Sequence, residues 1–185
     1  MEAFEQFVAL AMEAEGLVVS GALKFPVRRL TRKQGYEEWQ THGYEVDLIG
    51  ANSGKLVLGA VKSFFGSRGV VSDHVLGERG YTGWYALLNQ LDIRDGVVQG
   101  ACERFGYRLD QVEMRLYVGK FAGRNHEARI RDWASAQQVG GHPLRVIGAT
   151  EVVTEVREVA RSKQYRDSPV LATLKVLEAT GALEN

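Results

Sequence analysis

The chain has 185 residues, about 45% of them apolar, enough to bury one sizeable core, and a single domain is the expected count. Lysine plus arginine equals aspartate plus glutamate at 23 each, so net charge gives no global attraction to nucleic acid or anionic membrane, and such a partner must meet a local patch. One cysteine, Cys102, excludes an internal disulfide; four scattered histidines give no zinc-ligand spacing; and with no leader-like segment and no long apolar run the expectation is a cytoplasmic protein with no membrane contact.

In chain order, EAFEQFVALAMEAEG places Phe4, Phe7, Val8, Ala11 and Met12 at helical spacing and stops at Gly16, predicting an amphipathic first helix. LVVSGALKFPVRR reads as a strand ending near Pro26, followed by a polar, basic stretch and a second strand, YEVDLIG, at 44–50. ANSG is a tight turn into KLVLGAVKSFF, so 44–64 reads as a hairpin. A glycine-containing loop follows, then a helical pattern over about 81–105 in which Gly96 and Gly100 imply a break or close packing. VEMRLYVGKF (112–121) reads as a strand, 125–138 as a helix capped by Asn125, 143–149 as a short strand, and TEVVTEVREVARSK as a helix capped by Thr150. A last helix covers SPVLATLKVLEATG. This order predicts an α/β architecture, a mixed sheet with flanking helices.

Two charged residues stand out in the hairpin. Lys62 ends an otherwise apolar strand, and Asp47 sits inside Val46-Asp47-Leu48-Ile49, where an unpaired carboxylate would be costly to bury. Lys62 has a plain reading as an ammonium that reaches solvent from the strand end. An Asp47···Lys62 pair could be structural, but buried pairs stabilise weakly and often mark sites.

The series helix, hairpin with an aspartate on its first strand and x-Lys on its second, then helix and strand, resembles the core of the PD-(D/E)xK nuclease superfamily. That is the restriction-endonuclease-like fold of many restriction enzymes, recombination exonucleases and Holliday-junction resolvases. The resemblance covers about residues 2–121, with the C-terminal strand and helices of 122–185 compatible. Asp47 matches the first acid and Lys62 the lysine; Ala60 stands where the second acid is expected, and Val46 replaces the variable proline. Glu5 matches the glutamate that faces the metal site from the first helix in many members.

The resemblance implies a DNA nuclease, in defence, recombination or repair, that hydrolyses phosphodiester bonds with Mg²⁺ or Mn²⁺. It implies a metal held by Asp47, the residue at 60, the Val61 carbonyl and Glu5, with Lys62 orienting or deprotonating the attacking water. Many members are homodimers. With alanine at 60 the chain is expected to be inactive as given. Two origins stand open: a glutamate replaced by alanine, or a natural, non-catalytic nucleic-acid-binding or assembly subunit on the same fold.

Two segments could contact DNA. Lys24, Arg28, Arg29, Arg32 and Lys33 are interleaved with Tyr36 and Trp39, suiting phosphate neutralisation and base stacking. Ser63, Ser67 and Arg68 lie in the loop directly after Lys62. A solvated basic surface is the plain alternative for the first. Gly66-Ser-Arg-Gly69 lacks the GK[ST] ending of a P-loop, the Asp73-His74 pair has no ligand partners in sequence, and Cys102 reads as core filler.

Overall fold

Helix α1 spans Ala3–Ala14, where the apolar spacing places it, with Phe4, Val8, Leu10 and Met12 buried and its N-terminus closed by reciprocal bonds between Glu2 and Glu5. The computed structural model of the chain describes residues 2–33, 35–80, 83–162 and 167–182, excluding the side chains of Arg32, Lys33 and Tyr36. After Gly16, in the left-handed region at φ +78°, the chain enters two 16-residue strands, β1 (Val18–Lys33) and β2 (Tyr36–Ala51), paired antiparallel in a single register.

The basic stretch expected as irregular chain is thus the outer half of a long hairpin, and β1 runs through Pro26. Proline is tolerated because β1 is the edge strand of the sheet. Cross-strand contacts hold this outer half: the Arg28 guanidinium lies 5.2 Å from the Trp39 ring centroid, and Thr31 donates to Gln40 Oε1 at 3.3 Å.

Strand β3 (Leu56–Lys62) pairs antiparallel with β2, as expected. The turn between them is closed by Asn52 Oδ1, which accepts the N–H groups of Gly54 and Lys55. The crossover out of β3 carries α2 (Ser72–Val75), a 3₁₀ turn, α3 (Ala86–Asn89) and α4 (Leu91–Phe105). The helix expected over 81–105 is therefore interrupted at Gln90, which is extended. Gly96 and Gly100 mark close packing: a Cβ at 96 would stand 2.7 Å from Val27 Cγ1, and one at 100 would touch Phe25.

Strands β4 (Val112–Val118) and β7 (Arg145–Gly148) continue the sheet in parallel, in the order β1-β2-β3-β4-β7. Between them lie α5 (Arg124–Ser135) and a small hairpin of β5 (Gln138–Val139) and β6 (His142–Pro143); α6 (Ala149–Arg161) and α7 (Pro169–Ala179) close the chain. Asn125 and Thr150 are not caps. Helix α5 starts after Gly123, whose φ of +150° suits only glycine, and α6 starts after Gly148, whose N–H donates to Glu151 at 2.7 Å.

The described residues form an α/β protein with a five-stranded mixed sheet and seven α-helices, two of them single turns. One apolar layer packs the sheet against the crossover helices and α5; the other packs it against α1, α6 and α7. Among the described residues no helix is long and apolar enough to cross a membrane. Arg115, fully buried on β4, pins α1 to the sheet through Glu15 (2.6 and 2.9 Å), Glu113 (2.7 Å) and the Tyr117 hydroxyl (3.2 Å). Burial opposes ionisation of Glu15 and Glu113, but the cations Arg115 and Lys55 outweigh it and hold both carboxyls below their usual range.

Candidate functional site around Asp47 and Lys62

The β2–β3 ladder ends at the pair Leu48↔Gly59. One residue beyond, a side chain replaces the main chain: Asp47 Oδ2 accepts the Val61 N–H at 2.7 Å and faces Lys62 Nζ at 3.5 Å. A fault in strand alternation aims the carboxylate there. Val46 and Ile49, an odd number of residues apart, both enter the apolar layer beneath the crossover helices, while Leu48 enters the other. On β1 the residue opposite Asp47 in register, Ala22, sits at φ +51° between the pairs Gly21↔Leu48 and Leu23↔Val46. Both strands of the hairpin turn over at this point, and β2 leaves β3.

Asp47 and Lys62 retain 21% and 29% side-chain exposure. An ion pair this accessible contributes on the order of 1 kcal/mol or less, so stability is a weak reason for placing it here. The pair lies at the carboxyl end of β3, beside the carboxyl ends of the parallel strands β4 and β7. That edge is where open α/β sheets usually hold ligands.

Ala60 is 4% exposed and packs among apolar neighbours on the same strand face as Leu58. Val61 is also buried, its N–H held by Asp47. Glu5 is partly buried, and its carboxylate accepts the Glu2 N–H at 2.8 Å, closing α1. Glu2, which sequence reasoning missed, approaches the site instead: its Oε2 accepts from Ser63 Oγ at 3.0 Å, one residue past Lys62. Its position before a helix that starts at the site was the available signal. As they stand these residues do not fit a Mg²⁺ ion, because among the described residues no three acidic, histidine or cysteine side chains converge, and Asp47 Oδ2 is already engaged.

The expected nucleic-acid contacts separate into engaged and available groups. Arg29 is tied to Asp92 (2.6 Å) and Gln90 (2.9 Å), which fasten the hairpin to α4, and to the Tyr44 hydroxyl (3.1 Å); Tyr44 and Asp92 raise its pKa. Lys24 is exposed and 3.7 Å from Glu45. Arg28 lies over Trp39 on a hairpin face exposed from Lys24 to Leu30 and across the facing strand. The side chains of Arg32 and Lys33 lie outside the described residues. Ser63 is bound to Glu2, and Ser67 Oγ donates to the Phe64 carbonyl at 3.2 Å. Arg68 is exposed and makes no hydrogen bond or ion pair among the described residues.

The loop carrying Ser67 and Arg68 is bound to the end of β4: Gly119 N–H donates to the Lys62 carbonyl, Val70 N–H to that of Lys120, and Lys120 Nζ to that of Ser67, each at 2.8 Å. Asp73 is held by Arg129 and Arg79 rather than by His74, and Cys102 packs against the core, where burial raises its pKa.

No family model matches the chain, and no curated protein or solved structure matches it. The site's chemistry therefore rests on the geometry of this chain.

Proposed function

We propose that this chain is a PD-(D/E)xK-type DNA nuclease, hydrolysing phosphodiester bonds with Mg²⁺ or Mn²⁺, in a form whose metal site is incomplete at residue 60. The observation that carries the reading is the Asp47–Lys62 pair beyond the last rung of the β2–β3 ladder, 3.5 Å apart and open to solvent. The order helix, three strands, helices, strand, with β3 and β4 parallel, supports it. In this reading Asp47 orients Lys62 through their contact, and Lys62 meets the phosphate. A glutamate at 60 would stand one step past the pair Leu48↔Gly59, beside Asp47, and would add a carboxylate to a site where the described residues bring no three metal-ligating side chains together.

One observation favours a second reading. Ala60 fits its apolar surroundings, as expected of a natural, degenerate, non-catalytic nucleic-acid-binding or assembly subunit on the same fold. Calorimetric titration with Mn²⁺ separates the two. Uptake by Ala60→Glu that disappears in Ala60→Glu/Asp47→Asn supports the nuclease reading; a folded Ala60→Glu protein without Asp47-dependent uptake supports the other.

A further inference from the structure

The loop after Lys62 carries two adjacent phenylalanines that part to opposite sides. Phe65 packs edge-on against Phe4, with ring centroids 5.4 Å apart. Phe64 lies at φ +47°, a left-handed conformation costly for an aromatic residue, and lines a cavity of about 260 Å³ with Ser67, Arg68, His74, Trp84 and Tyr85. Trp84 is 67% exposed, with its ring 5.0 Å from that of His74 in an edge-to-face arrangement. The rim cation is Arg68, which has no anionic partner among the described residues. The bonds from Val70 N–H to the Lys120 carbonyl and from Lys120 Nζ to the Ser67 carbonyl fix the loop side of this cavity to the end of β4.

We infer that this cavity binds one unpaired nucleobase, stacked on Trp84 and Phe64, with the phosphate of the same nucleotide held by Arg68, so that the substrate is DNA with an unstacked base beside the Lys62 site. This rests on the DNA reading above. The cavity falls below the usual range of small-molecule sites, about 300–1,000 Å³, a size for one ring system rather than a dinucleotide. Aromatic faces beside an unpaired guanidinium are the elements that hold single-stranded nucleic acid without reading its sequence. A continuous duplex keeps its bases stacked and cannot fill the cavity.

The test is binding, which needs neither metal nor cleavage. Fluorescence anisotropy of a labelled single-stranded oligonucleotide and of the same sequence as a blunt duplex is measured against the chain, Trp84→Ala and Arg68→Gln. Both substitutions lie at exposed positions, and circular dichroism checks that the variants fold. The expected result is preference for the single strand, a loss of roughly 5- to 100-fold with Trp84→Ala on that strand only, and a salt slope smaller by about 0.7 with Arg68→Gln. Equal affinity for both DNAs, or a Trp84→Ala variant that binds the single strand as before, overturns the base pocket and leaves the nuclease reading standing. No binding to either DNA overturns both.

Discussion

Placing a glutamate at position 60 perturbs the site in a way that separates a metal centre from a plain core position. Ala60 is 4% exposed, so the longer side chain must displace neighbours, at roughly 1–3 kcal/mol for overpacking. It would also stand beside Asp47, one step past the last paired rung Leu48↔Gly59, at a carboxylate separation on the order of 5 Å. Two carboxylates at that distance repel by about 3 kcal/mol at an effective dielectric constant near 20. Lys62, 3.5 Å from Asp47, offsets part of this. A net loss of about 3 kcal/mol lowers the melting temperature of a chain this size by roughly 6–12 °C. A divalent ion at about a hundred times its dissociation constant returns about 2.7 kcal/mol, most of that shift. Thermal melts of Ala60→Glu with EDTA, Mg²⁺ and Mn²⁺ check the expectation. A melting temperature indifferent to both metals, or raised equally in the Asp47→Asn background, would refute the reasoning.

Other consequences are open to simpler measurements. Arg115→Met should cost about 1–3 kcal/mol by urea denaturation at neutral pH, because it removes the buried guanidinium that holds the partly exposed carboxylates of Glu15 and Glu113. Since both carboxyls titrate below their usual range in the folded chain, the clasp's stabilisation is present above about pH 4.5. It is lost as the pH falls through the lowered values, so the gap between parent and Arg115→Met should narrow there; a gap that widens on acidification would contradict the clasp. Gly96→Ala should lower the melting temperature despite a better helix former, because its Cβ would meet Val27 Cγ1 at 2.7 Å; a rise would show that α4 shifts freely off β1.

Alternation and spacing exposed α1, the β2–β3 hairpin and the parallel strands because those patterns follow the burial they produce. The length of β1 was hidden by Pro26, read as a stop when it lies on an edge strand. The break at Gln90 carries no sequence mark, and of the two readings open for Gly96 and Gly100, a break or close packing, the structure shows close packing against Val27 and Phe25. The Asp47–Lys62 pair was legible because an acid and a base in apolar strands need partners. The carboxylate's direction was not, since it depends on the turnover shared with Ala22 across the hairpin. The family resemblance points to Glu5 as the acid from α1; in the structure its carboxylate accepts the Glu2 N–H at the start of that helix, and the Glu2 carboxylate accepts from Ser63. Arg29 illustrates the same limit: its fixation to α4 depends on a contact 63 positions along the chain.

Nuclease assays of Ala60→Glu test the proposed chemistry most directly. Plasmid, linear duplex and single-stranded DNA are incubated with Mg²⁺ or Mn²⁺, beside the parent chain, Ala60→Glu/Asp47→Asn and Ala60→Glu/Lys62→Met. The expected result is metal-dependent cleavage by Ala60→Glu alone, with the parent and both double variants inactive. A folded Ala60→Glu protein that cuts none of these DNAs with either metal, or one whose cutting survives the loss of Lys62, would contradict it.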